Sequence, residues 1–250
     1  MENNTGLLSA SELLKKALDF TRSKAGVLYG IALLSAVIWV PFIILGVFAG
    51  ATTYQHTGNL AGVWLLIVPL VIIALGLSIW SQIALIKAVV NETGFSDSFK
   101  AARSSFWRYI WTSFLLGLIL FLGFVLLVVP GIIFAVWYAF AGMIVIVEGI
   151  SGMDAIRQSK TYVKGRWGKV AWRIAVPTLW LFLIQFLLGL LFNKDTEFGN
   201  ILSGVISFAS VPVITTYQYL LYKNLKESMG MSVPVPVVPT LPNETPSQSV

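Results

Sequence analysis

The chain of 250 residues contains no cysteine and a single histidine, His56. No disulfide framework, thiolate metal site or catalytic thiol can form, and any site that needs two imidazoles is excluded. Charge is scarce too. Asp, Glu, Lys and Arg make up 11% of the residues, where a soluble globular domain carries about 25%. So few charges cannot cover a core of this size with a water-compatible surface. What the chain has instead is apolar sequence: 57% of residues, with a mean hydropathy of +0.83. Much of its surface must therefore face lipid.

A membrane-spanning helix needs about 20 apolar residues at a 1.5 Å rise. Residues 25–50 and 60–86 are two uncharged runs of that kind, separated by ATTYQHTGN. A secretory signal ending at Ala49-Gly50-Ala51 is the rival reading of the first run, but a signal core is only about 7–15 residues long. From Tyr109 to Val147 there are 39 residues without a charge, near twice what one span needs. Pro130-Gly131 lies near the middle, and Pro followed by Gly is a turn signal, so two spans are expected at 109–128 and 131–147. A fifth at 174–192 and a sixth at 200–222 complete an all-α, six-span transmembrane domain over 25–226. It is flanked by an N-terminal segment, 1–24, and a tail, 227–250. Prolines at 234, 236, 239, 242 and 246 give that tail no regular helix and an extended, solvated character.

The longest polar interval between apolar runs is Glu148–Arg173, with six basic and two acidic residues. Six spans place both termini on one side. That side collects four basic residues in 1–24, four in 87–108, six in 157–173 and two in 223–226, and the other side holds Lys194 alone. Cytoplasmic loops carry the excess of Lys and Arg, so both termini are expected in the cytoplasm.

Each odd-numbered span follows a basic, amphipathic segment: SELLKKALDFTRSK (11–24), SDSFKAARSSFWRY (96–109) and GMDAIRQSKTYVKGRWGK (152–169). Each has an acid in its first turn, where it complements the helix dipole, and a central alanine, Ala17, Ala102 or Ala155. The expected architecture is three transmembrane hairpins, each preceded by a cytoplasmic amphipathic surface helix. Ser9 and Glu12 have capping-box spacing at the start of the first, whose apolar side is expected to lie on the membrane.

Residues 127–173 carry Pro130-Gly131, an aromatic span, Glu148-Gly149, Ala155, Ser159, Lys164-Gly165 and Trp167. This stretch resembles the YciC-type prokaryotic six-span membrane proteins and the membrane domain attached to some glycerophosphoryl diester phosphodiesterases. The resemblance is specific over 95–173. It implies a prokaryotic cytoplasmic membrane, and not the phosphodiesterase activity, which belongs to a separate soluble domain.

No catalytic, cofactor or metal constellation is readable. His56 sits in a short loop, and Glu148 and Asp154 read as an ion-pair partner and a helix-start residue. GRWGK (165–169) lacks the spacing and the Ser/Thr of a phosphate loop. The basic interval is the most usable feature: Arg157, Lys160, Lys164, Arg166, Lys169 and Arg173 are candidates for anionic lipid headgroups, at about 1 kcal/mol each, with Trp167 and Trp172 at the interface. Gln82, Gln185, Gln218 and Glu148 are polar residues for interhelical bonding or for a solute path. Net charge of +6 is explained by orientation and calls for no nucleic acid. The expectation is a non-catalytic membrane-organising or accessory module that engages anionic lipids, a partner protein or a second copy through its cytoplasmic face. The alternative is a carrier or channel for a small neutral or amphipathic molecule.

Overall fold

A computed structural model describes residues 7–56, 61–192 and 197–231. The tail beyond 231 and the loop residues 193–196, including Lys194, lie outside the described residues. Among those described there is no strand. Ten helices follow in order: α1 (Ala10–Ser23), α2 (Ala25–Val37), α3 (Trp39–His56), α4 (Ala61–Asn91), α5 (Phe95–Leu126), α6 (Val128–Trp137), α7 (Ala141–Val147), α8 (Gly152–Val163), α9 (Trp167–Leu191) and α10 (Glu197–Glu227). They supply six stretches long and apolar enough to cross a membrane: Ala25–Phe48, Val68–Asn91, Phe95–Leu126, Val128–Val147, Trp167–Leu191 and Phe198–Glu227. Large exposed apolar residues such as Phe121, Leu126, Phe182, Leu190 and Leu191 suit the lipid contact of such helices, since in water a surface this apolar would associate.

The capping box at α1 is formed. Ser9 Oγ accepts from Glu12 N at 3.2 Å, and Ser9 N donates to Glu12 Oε2 at 2.9 Å, so two amides without helical partners are satisfied. Leu13, Ala17 and Thr21, at four-residue spacing, are buried, and α1 packs against α10. Thr21 Oγ1 donates to Thr216 Oγ1 at 3.4 Å. The helix is docked on protein through one stripe, which leaves Leu14 and Leu18 at least partly exposed.

Segment 96–109 is not a separate helix. It is the first half of α5, continuous with the span, because nothing between Phe95 and Leu126 breaks the helical hydrogen bonding. Its small residues Ser98, Ala102 and Ser105 are buried. Ala17, Ala102 and Ala155 all have zero exposure: each is a point where a helix approaches its neighbour closely.

The connection expected at Pro130-Gly131 falls elsewhere. The residue between α5 and α6 is Leu127, extended at φ −170°, ψ 151°. Pro130 is the third residue of α6, where the backbone N–H needs no helical partner and proline is tolerated. Gly131 serves packing instead: a Cβ built on it would come 2.5 Å from the Phe124 ring, so only glycine lets α5 and α6 close to this distance. The corner between α7 and α8 does require glycine, with Gly149 at φ +74° and Gly152 at φ +66°, a region costly for residues with a Cβ.

Candidate functional site

Two polar features and one cleft stand out. The first feature is a buried knot around Glu148, at the end of α7. Its Oε1 lies 3.3 Å from Lys226 Nζ, with the two side chains 8% and 5% exposed. Tyr162 donates to Glu148 Oε1 at 2.9 Å, Tyr222 donates to the same oxygen, and Gln158 Nε2 donates to Tyr162 OH at 2.7 Å. The knot ties α7, α8 and α10 together. Burial pushes the Tyr162 phenol above its ordinary value; the Gln158 hydrogen bond opposes this and Glu148 adds to it. The ammonium, the carboxylate and the two phenols are one another's partners in this buried knot.

The second feature is a set of basic side chains spent on backbone carbonyls. Lys87 Nζ donates to Ile146 O at 2.8 Å, and Arg108 Nη1 to Gly149 O at 2.9 Å. Arg173 donates to Leu8 O at 2.8 Å and to Leu7 O at 3.2 Å, while Arg166 donates to the hydroxyl and carbonyl of Ser228. These ties divide the six lipid-headgroup candidates. Arg166 and Arg173 hold the fold together. Arg157, Lys160, Lys164 and Lys169 are exposed; Arg157 lies 4.0 Å from Asp154, and Lys160 sits 4.3 Å above the Trp137 ring. Of the two tryptophans, Trp167 donates to Ile133 O at 3.4 Å and Trp172 is 63% exposed.

The polar residues within the spans also divide. Gln185 bridges α9 and α10: its amide donates to Ser207 Oγ at 2.8 Å and accepts from Ser203 Oγ at 2.5 Å. That is interhelical hydrogen bonding of the ordinary kind. Gln82 is exposed on α4, and Gln218 lines a pocket between α5, α7 and α10.

The cleft lies between α2, α4 and the start of α5, with a volume of about 800 Å³. Phe95, Phe99, Phe106 and Trp107 recur at helical spacing along one face of α5 and form one wall, with Leu34 and Trp80 opposite. Trp80 and Phe99 meet edge to face at 6.1 Å, and the Trp80 indole N–H donates to Phe99 O at 3.2 Å. Lys100 and Arg103 stand among these rings. Lys100 is 3.6 Å from Asp97 in a pair whose side chains are 77% and 68% exposed, a contact worth little in water. Arg103 is exposed and makes no hydrogen bond or ion pair among the described residues. An apolar trough with two cations on it can hold an acyl chain and pair with an acidic headgroup. Arginine suits this role because its fork matches phosphate or carboxylate in a bidentate manner. The sequence carries this signal as aromatic residues at 95, 99 and 106–107 interleaved with bases at 100 and 103, within a segment that has fewer bases than 157–173.

No protein-family model, no curated protein and no solved structure matches the chain.

Proposed function

We propose that this protein is a non-catalytic accessory component of a prokaryotic cytoplasmic membrane that holds an anionic amphiphile in the cleft between α2, α4 and α5. The observation that carries the proposal is the coincidence of Lys100 and Arg103 with an aromatic trough of about 800 Å³. In this reading the charge bias sets the orientation, with both termini and the cleft cations on the cytoplasmic side. There the leaflet is anionic, and each nearby base gains about 1 kcal/mol. The three amphipathic segments 11–24, 96–109 and 152–169 then each lead into a transmembrane hairpin on the cytoplasmic side, the second as an uninterrupted continuation into its span. Membership in the YciC-like group remains part of this proposal, carried by the motif over 127–173.

The test is photo-crosslinking in vesicles with an anionic phospholipid that carries a diazirine in its acyl chain. Adducts on Leu34, Phe95, Phe99 or Trp107 are expected, reduced by Lys100→Gln with Arg103→Gln. Adducts confined to 153–172 would place the lipid contact on the α8–α9 corner and refute the cleft as the site.

A further inference from the structure

The fourth candidate span, Val128–Val147, is not one helix. It stops at Trp137 and resumes at Ala141, near its middle. Ser159 of α8 mends part of the break: its hydroxyl donates to Trp137 O at 2.8 Å and accepts from Phe140 N at 3.2 Å. Irregular backbone within an apolar span persists only where it is buried in protein or lines a cavity, and discontinuous spans are where membrane carriers bind their solutes. Here the break does line a cavity, of about 240 Å³. Tyr138 and Ala139 come from the break itself, Tyr109, Thr112 and Ser113 from α5, and Gln218 from α10.

The chemistry of this lining is uncharged and partly uncommitted. Thr112 is spent, since it donates to Arg108 O at 2.8 Å and accepts from Gly152 N at 2.7 Å. The Tyr138 hydroxyl and the Gln218 amide have no hydrogen-bond partner among the described residues. A phenol and a primary amide together offer three N–H or O–H donors and two acceptor oxygens. Gln218 is exposed and Tyr138 half-buried, so both groups are within reach of a ligand that enters the cavity. With no charge in the lining, an ionic ligand would lack a counter-charge, whereas a hydroxyl can both donate to and accept from these two residues.

We infer that the cavity beside the break at 138–140 binds a small uncharged molecule bearing hydroxyl groups, held by Tyr138 and Gln218. Its volume matches about eight waters at roughly 30 Å³ each, which sets the size of the ligand. This site is separate from the α2–α4–α5 cleft and does not depend on the amphiphile reading.

The natural chain has no cysteine, so a single introduced thiol reports without background. Ala139→Cys and, as a second sensor, Ser113→Cys place a thiol on the lining, and Ser104→Cys is the exposed control. Each full-length variant is reconstituted in vesicles and labelled with a neutral hydroxyethyl methanethiosulfonate, with and without glycerol. Only a thiolate reacts, so labelling requires a wet cavity. The expected result is labelling at both sensors that glycerol slows by about tenfold, the slowing that nine-tenths occupancy imposes. No such slowing is expected in the Ser104→Cys control, and the protection is lost when Gln218→Leu is added. Absence of labelling at both sensors, equal slowing of sensors and control, or protection indifferent to Gln218→Leu would each overturn the inference.

Discussion

The Glu148 carboxylate and the Lys226 ammonium, 78 residues apart in sequence, meet at 3.3 Å with both side chains almost wholly buried. Two hydroxyl groups, from Tyr162 and Tyr222, and the Gln158 amide also donate to the carboxylate. An ion pair in such a place gains little over an apolar pair, but removing one partner strands the other charge. Glu148→Gln or Lys226→Met is therefore expected to destabilise the protein by about 3–5 kcal/mol. The double variant should recover part of that loss, as thermal unfolding in detergent will show. Tyr222→Phe removes one bond to a charged acceptor and should cost about 1.5–3 kcal/mol. A double variant destabilised by the sum of the two single losses would mean that the pair is not coupled.

The capping box predicts a local pH dependence. The Glu12 carboxyl is held below its ordinary value of 4.5 by its hydrogen bonds with the Ser9 backbone and side chain, helped by Lys16. A carboxyl with a depressed folded value contributes stability that is present above the unfolded value and is lost as the pH falls through the folded one. Amide protection across Ala10–Ser23, taken relative to the intrinsic exchange rate at each pH, should thus fall below about pH 4.5, the ordinary value, and Glu12→Gln should remove that fall. Equal pH profiles in the two proteins would show that the cap does not hold α1.

Glycine has different weight at different positions. Gly131→Ala forces a Cβ to within 2.5 Å of Phe124, and overpacking of this kind costs about 1–3 kcal/mol. Gly189→Ala, inside α9 with nothing within 4 Å of the new Cβ, should be neutral or stabilising by up to about 1 kcal/mol, because alanine is the better helix former. Comparison of the two midpoints of thermal unfolding checks both. A harmless Gly131→Ala would show that α5 and α6 are less closely packed than 2.5 Å implies.

These cases show which parts of the structure were legible in the sequence. The six apolar helices could be read from run length and charge alone, because the bilayer demands about 20 uncharged residues and little else supplies them. The Ser9–Glu12 cap was legible because both partners lie within four residues. Pro130 misled by two or three positions: a Pro-Gly pair reads equally as a turn or as the first turn of a helix, and only the packing of Gly131 on Phe124 decides. The bonds of Arg166 to Ser228 and of Arg173 to the carbonyls of Leu7 and Leu8 are not legible, because these partners are distant in sequence. The α1 stripe of Leu14, Ala17 and Leu18 is legible from its spacing, whereas the burial of Ala17 together with Leu13 and Thr21 depends on α10, which is distant in sequence. The break at 138–140 has no proline and left no local signal; Ser159, two turns into α8, stabilises it.

The most direct test of the amphiphile reading is native mass spectrometry of the detergent-purified protein, with lipids retained from the membrane. Three proteins are compared: the parent, Lys100→Gln with Arg103→Gln, and Arg157→Gln with Lys160→Gln and Lys164→Gln. Arg166 and Arg173 are left intact because they bind backbone and side chain of the protein itself. Anionic lipid retained by the parent and by the α8 variant, and lost from the Lys100/Arg103 variant, is the predicted result. Lipid retained equally by all three, or lost only from the α8 variant, would contradict it.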